Sequence, residues 1–164
     1  MTLTKPELIA CLRDEIRILV HLCGKIEPAM LDYRPTPKQR SLLELLRYLT
    51  VMGPALVPSV KAGTFLVDEW NARENAAKTQ DFDSVAASLA ALSDFYARTI
   101  SEFTDDELRA ELKMFGQTMP RGPWLVTLIL SGHAAYRMQL FLYLKSCGRE
   151  ELNTMNLWAG VDAV

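Results

Sequence analysis

The fold assignment starts from Ser131-Gly132-His133-Ala134-Ala135-Tyr136-Arg137-Met138-Gln139-Leu140, which lies inside an apolar segment from Trp124 to Leu144. Helical periodicity places positions 132 and 136 one turn apart on one face of this segment. A metal-binding helical bundle carries two histidines at such a spacing, because imidazoles on one face can share an ion. This chain has Gly132 and Tyr136 there instead. The stretch therefore has the form of a metal-site helix that lacks its metal ligands.

Length and composition indicate one folded unit with a sizeable core. The chain has 164 residues, of which 49% are hydrophobic, so we predict a single domain over residues 1–164. The 18 Lys and Arg residues are balanced by 20 Asp and Glu residues, and the net charge of -2 provides no positive field that would attract phosphates. Nucleic acid is therefore not an expected partner.

The N-terminal sequence and the cysteines indicate a reducing, cytoplasmic environment. Met1 to Glu7 contains no basic region followed by an apolar stretch and a cleavage site, so we expect no signal peptide. Three widely spaced cysteines without a CxxC partner are typical of reduced thiols, and they are Cys11, Cys23 and Cys147. The apolar segments 124–144 and 51–67 are interrupted by polar residues, glycine or proline, so we expect no membrane span.

Capping signals and apolar periodicity predict an all-α protein with four long helices. The first runs from about Lys5 to Cys23 after a Thr4/Glu7 capping box, and the second opens at Ser41 and Glu44. We expect Gly53-Pro54 to end the second helix. The third starts near Asp81 or Asp83, and the fourth runs from Pro123 to Cys147.

The connections carry weaker signals. Residues 55–80 predict short helical pieces and loops, because Pro58 and Gly63 break the periodicity while Phe65 and Trp70 still need burial. A capping box at Thr104 and Glu107 predicts a short helix through Leu112, followed by a turn-rich stretch to Gly122. Residues 149–164 are too apolar for a free tail, so we expect them to dock on the bundle or on a second subunit.

Two ordered motifs link this chain to a known family. The first is Leu31-Asp32-Tyr33-Arg34-Pro35, followed by Arg40-Ser41 and then Tyr48, and the second is Gly132 to Gln139. Their order resembles the DinB-like superfamily of bacterial four-helix proteins, over nearly the full chain. In that family the first motif reads Leu-x-x-Arg-Pro, Trp-Ser and a histidine seven residues after the serine, and the second reads His-x-x-x-His-Arg-Gly-Gln. Arg137 and Gln139 match this pattern.

The resemblance implies a DinB-like four-helix bundle with short extra helices in its connections, but it does not carry over the metal. The family includes S-transferases acting with bacillithiol or mycothiol, and its three histidines hold a catalytic ion. The corresponding positions here are Tyr48, Gly132 and Tyr136. His133 is one residue out of place, which rotates its side chain by about 100° around the helix. We therefore expect no metal and no other cofactor.

Two metal-free interpretations stand side by side. One is a cavity in place of the metal site that binds a small molecule or a protein partner. The other, which we favour for the two tyrosines, is that Tyr48 and Tyr136 fill the space with their rings. Two enzymatic alternatives stay open: a metal-dependent thiol S-transferase, and a metal-independent enzyme with His133 as the catalytic base and a tyrosine as donor. We also expect a homodimer. The candidate cavity residues are Tyr48, Trp124, Gly132, His133, Tyr136, Arg137 and Gln139.

Overall fold

Side-chain caps set the starts of the long helices. The computed structural model describes residues 3–162. Helix α1 (Lys5–Cys23) and helix α2 (Leu42–Ala62) each begin with the predicted capping box, formed by Thr4 with Glu7 and by Ser41 with Glu44. Helix α4 (Phe82–Ser101) begins after Asp81, whose carboxylate accepts a hydrogen bond from the backbone N–H of Ser84 at 2.9 Å. These predicted starts are confirmed.

The other elements are shorter or joined end to end. They are a 3-10 turn at Pro28–Met30, α3 (Val67–Ala77), α5 (Asp105–Arg109), β1 (Glu111–Met114), β2 (Gln117–Pro120), α6 (Arg121–Leu125) and α7 (Ser131–Ser146). A π-helical turn at Val126–Leu130 joins α6 to α7, so that residues 121–146 form one continuous helix. A second π turn, Met155–Ala159, lies near the C-terminus.

Four long helices enclose the core. α4 packs on α1 and α2, and the continuous helix of residues 121–146 packs on α1 and α2. The main buried cluster takes apolar side chains from all four, including Leu12, Leu45, Leu89 and Leu140, each of which is fully buried. The predicted all-α four-helix fold is confirmed. By length and composition alone the helix of residues 121–146 could also cross a membrane, and 28% of its most apolar window is buried.

The predicted end of the second helix is wrong. α2 continues through Gly53, Pro54 and Pro58 to Ala62, and it is capped by Gly63, which has a positive φ of 80°. A proline inside a helix costs about 3 kcal/mol, because it removes a hydrogen bond and crowds the preceding turn. Leu56, Val57 and Val60 beyond it are buried, and each contributes roughly 1.5–3 kcal/mol. The free energy gained by burying these side chains therefore offsets the cost of the prolines, and the helix continues.

A β-hairpin replaces the end of the predicted short helix. α5 stops at Arg109, and β1 pairs antiparallel with β2, with Met114 opposite Gln117. The two turn residues between them, Phe115 and Gly116, have positive φ values of 49° and 78°. Two positive φ values in a two-residue loop match the twist of a hairpin. The prediction of a helix through Leu112 is therefore wrong.

The C-terminal segment lies on α1 of the same chain. The side-chain amide of Asn156 lies 3.1 Å from the His21 ring and donates to the Asp162 carboxylate at 2.9 Å. The Lys25 ammonium donates to the same carboxylate at 2.8 Å. The segment therefore docks on the bundle, which is one of the two sites expected for it. Trp158 stays 64% exposed.

Replacing Gly53 should test the close packing of α2 against α4. A Cβ at position 53 would lie 1.9 Å from the Tyr96 hydroxyl oxygen, which no small adjustment relieves. We expect Gly53→Ala to lower the free energy of unfolding by about 3 kcal/mol, measured by urea denaturation. Gly24→Ala is the matched control, because Gly24 has an ordinary φ of -64° and is exposed. Equal small effects for the two variants would contradict this packing.

Candidate functional site

The positions that hold histidines in the DinB-like family are packed against one another in this chain. Tyr48 on α2 and Tyr136 on α7 make an edge-to-face contact, with ring centroids 5.1 Å apart. Gly132 faces Met52, one turn along α2 from Tyr48. A Cβ at position 132 would lie 3.0 Å from both the Sδ and Cε atoms of Met52. Two phenol rings and a thioether therefore occupy this region.

These side chains do not fit a three-histidine metal centre. Burial, and next the adjacent Tyr136 hydroxyl, raise the pKa of Tyr48 to about 12, so that this phenol keeps its proton. A protonated phenol is a poor ligand for the divalent ions that imidazoles hold. Within residues 3–162, no three His, Cys, Asp or Glu side chains lie close enough together to hold a metal ion.

His133 is buried on a different side of its helix. Its side chain is fully buried, and its Nε2 atom is hydrogen-bonded to the Tyr96 hydroxyl at 2.5 Å. Burial lowers the pKa of His133 to about 4 and raises the pKa of Tyr96, so that both groups are neutral at pH 7. The Nδ1 atom of His133 has no hydrogen-bond partner among the described residues. This imidazole has no surface on which to receive a substrate.

Arg137 and Gln139 connect the fourth long helix to its neighbours. The Nε atom of Arg137 lies 3.3 Å from Glu15 Oε2 on α1, and the two side chains are 6% and 15% exposed. Burial raises the pKa of Glu15, while the Arg137 charge opposes that shift. Gln139 donates to the Tyr143 hydroxyl at 2.7 Å, and that hydroxyl donates to the Arg40 carbonyl at 3.0 Å. Neither side chain joins His133 or Tyr48.

Six aromatic rings in sequential contact, which we call the aromatic ribbon, link the remaining candidates. The ribbon runs from Tyr136 and Tyr48 to Trp124, and its centroid distances are 5.1, 5.9, 5.8, 5.3 and 6.2 Å. Its members in order are Tyr136, Tyr48, Trp70, Phe65, Phe115 and Trp124. Trp124 also donates its indole N–H to the Leu112 carbonyl at 3.0 Å.

Sequence reasoning missed three members of the ribbon. Phe65 and Trp70 lie in the region without helical periodicity, and Phe115 lies at the hairpin turn. Phe115 has a φ of 49°, which a bulky side chain rarely adopts. One signal in the sequence could have indicated this contact. Segments without helical periodicity contain several large aromatic residues, and such side chains need burial. The ribbon covers Tyr48 from the side of α3 and the hairpin.

A surface pocket of about 380 Å³ adjoins Tyr48. The Arg40 guanidinium lies 4.0 Å above the centre of the Tyr48 ring, and its side chain makes no hydrogen bond within residues 3–162. The other charged groups at this pocket include Glu44, which caps Ser41 and pairs with Arg34, and Arg47, which donates to the Gln80 carbonyl. The lining residues are Arg40, Glu44, Arg47, Tyr48, Val51, Glu74, Ala77 and Lys78.

Comparison with known proteins supports the fold and goes no further. No family model and no curated protein matches this sequence. The structure is similar to that of a DinB-like protein, YjoA, from Bacillus subtilis, with a TM-score of 0.68 over 90% of this chain and 95% of that chain. The two sequences are 16% identical. The chain therefore has a DinB-like fold, and identity at this level carries no activity across.

The packed tyrosines predict a low metal content. We expect protein purified without an affinity tag, from cells supplied with nickel and zinc, to contain far less than one metal ion per chain, because the imidazole ligands are replaced. Elemental analysis by mass spectrometry measures this. A stoichiometric ion that survives dialysis against a chelator would contradict the packing described here.

Acid should destabilise the protein through His133. Its pKa is about 4 in the folded chain, and an unfolded histidine titrates near 6.5, so only the unfolded state gains a proton between these values. Stability is therefore full above pH 6.5 and falls by about 3 kcal/mol as the pH drops to 4. His133→Gln should remove most of this slope in urea denaturation. His21→Gln, which changes the other histidine, is the control, and equal slopes for wild type and His133→Gln would refute the assignment.

Proposed function

We propose that this protein binds a small carboxylate ligand in the pocket beside Tyr48, without a metal ion. The observation that carries the proposal is the Arg40 guanidinium, which lies over the Tyr48 ring at 4.0 Å and has no carboxylate partner among residues 3–162. A guanidinium presents its donors in a planar fork that matches a carboxylate. The ring holds this fork at the pocket while leaving its N–H groups available.

The other pocket groups favour the same ligand charge. Tyr48 contributes no negative charge to the pocket, because burial raises the pKa of its phenol to about 12. Lys78 adds a second cation, and Glu74 is the acid that lies close enough to raise the pKa of Tyr48 further. Since Glu44 is already paired with Arg34, the pocket has an excess of positive charge and of donors.

The enzymatic alternatives have less support. His133 as a catalytic base would need contact with a substrate, and its ring is fully buried against Tyr96. A metal-dependent S-transferase would need ligands at positions 48, 132 and 136, where two phenols and a glycine are found. A binding pocket at the surface requires neither an exposed His133 nor metal ligands at positions 48, 132 and 136.

Benzoate and benzamide provide a matched test, because they share a shape and differ in charge. We expect benzoate to bind with a Kd on the order of 1 mM, the weak affinity of a fragment of this size, and benzamide to bind at least about tenfold more weakly. NMR titration of the labelled protein should place the benzoate shifts at Tyr48 and its pocket neighbours.

Two variants separate the pocket from a general effect of charge. Arg40→Gln should weaken benzoate at least about tenfold, the loss of one charge-assisted contact. Arg109→Gln removes an exposed arginine on α5, outside the pocket, and should leave the Kd unchanged. Equal binding of benzamide and benzoate, or an unchanged Kd in Arg40→Gln, would end the proposal.

A further inference from the structure

A second pocket, of about 630 Å³, lies between the start of α1 and the beginning of the fourth long helix, and we call it the apolar groove. Its walls are mainly apolar, and they include Leu3, Leu8, Leu108, Pro120, Pro123 and Val126. Its volume falls within the roughly 300–1,000 Å³ of small-molecule sites. It shares no lining residue with the pocket beside Tyr48. The apolar groove is therefore a separate place at which a ligand could bind.

The floor of the apolar groove is part of the folded core. Leu8 and Leu108 are 4% and 7% exposed, and both belong to the main buried cluster. At one edge, a Cβ at position 122 would lie 3.3 Å from the Leu108 carbonyl oxygen, so Gly122 lets α6 pack closely on α5. Pro120 and Pro123, which lie close to Gly122 in the chain, each have a fixed φ. The groove is therefore formed before any ligand arrives, and binding needs no opening of the bundle.

The charged residues of the groove are both cations. Lys5 and Arg109 line it, and no aspartate or glutamate among residues 3–162 does. The Lys5 ammonium donates to the Phe103 carbonyl oxygen at 2.8 Å and lies 3.5 Å from the Ser101 carbonyl oxygen, but it pairs with no carboxylate in the described part of the chain. Arg109, by contrast, lies 4.0 Å from the Asp106 carboxylate. Since an ammonium has three donors, Lys5 keeps its charge and one donor for a ligand.

We propose that the apolar groove binds a medium-chain fatty carboxylate, with its alkyl chain along the apolar walls and its carboxylate beside the Lys5 ammonium. Apolar walls favour an alkyl chain because every methylene that enters the groove leaves water. They offer little to a sugar or a polar peptide, since the Thr4 hydroxyl already donates to the Glu7 carboxylate at 2.6 Å. The unpaired charge of Lys5 selects a ligand with one anionic end. This site is independent of the pocket beside Tyr48, and either proposal can fail without the other.

A series of ligands that differ only in chain length tests the apolar walls. NMR titrations with hexanoate, octanoate and decanoate should shift the amide signals of Leu8, Leu108 and Val126. We expect affinity to rise about two- to fourfold with each added methylene, because each one is transferred from water to the groove. Decanoate should then bind with a Kd on the order of 100 μM. Equal affinity across the series, or shifts that are spread over the whole surface, would overturn the proposal.

Octanoate and 1-octanol test the role of Lys5, because they share a chain and differ in charge. Octanoate should bind at least about fivefold more tightly, the effect of one charge-assisted contact. Lys5→Gln should abolish this preference by weakening octanoate alone. Lys61→Gln is the matched control, because Lys61 also donates to a carbonyl at the end of α4, that of Glu102 at 2.8 Å, and lies outside the groove. Equal binding of the two ligands to the wild type, or a preference that survives Lys5→Gln, would contradict the carboxylate.

A charge in the wall tests the position of the chain. Leu3→Asp should weaken octanoate and 1-octanol alike, at least about tenfold, because an ionised carboxylate at the wall resists the loss of water. Leu43→Asp makes the same change at a half-buried leucine in the first turn of α2, outside the groove, and should leave both affinities unchanged. Unchanged binding in Leu3→Asp would overturn the site. Shifts of the same signals when the wild type is concentrated without ligand would show that a second copy covers the groove, and would also overturn it.

Discussion

A single buried hydrogen bond between the Tyr96 hydroxyl and the His133 ring joins α4 to α7 at the point where Tyr96 passes Gly53 of α2. The bond is possible because Gly53 on α2 has no Cβ, so the α4 tyrosine can pass α2 and reach α7. Both partners are fully buried, and each would be costly to bury alone. The spacing of α2, α4 and α7 therefore depends on a glycine and on one hydrogen bond between two buried, neutral side chains.

The close packing of α2 against α7 also fills the positions at which the DinB-like family carries histidines. Met52 precedes Gly53 in α2, and its side chain fills the space that Gly132 leaves on α7. Tyr48, one turn earlier, meets Tyr136 one turn later, so the two helices interlock through large and small residues in alternation. A side chain at position 132 would displace Met52. Metal binding at these positions would thus require coordinated changes on both helices.

Local signals predicted the parts of this structure that depend on local interactions. Thr4, Ser41, Asp81 and Thr104 fixed the helix starts because a cap acts within one turn. α2 continues through Pro54 because its later residues are buried against helices that are distant in sequence. The residues next to a proline do not reveal such burial, so local sequence predicts that the helix ends there. The contact of Tyr48 with Tyr136 could be predicted, because the family motifs place these two positions at one site. The hydrogen bond between Tyr96 and His133 could not be predicted, because no motif includes Tyr96. The aromatic ribbon likewise gathers rings from segments without periodicity.

Tyr48 connects the packed interior to the surface. One edge of its ring packs against Tyr136, and its face supports the Arg40 guanidinium at the pocket. A ring held on several sides keeps one rotamer, and the cation above it loses little freedom when it meets an anion. A tyrosine at position 48 is therefore compatible with a binding function that needs no metal. Tyr48 fills the space between α2 and α7 and also positions the Arg40 guanidinium at the surface pocket. A ligand in that pocket would be selected by its charge and shape, and it would not need to enter the core.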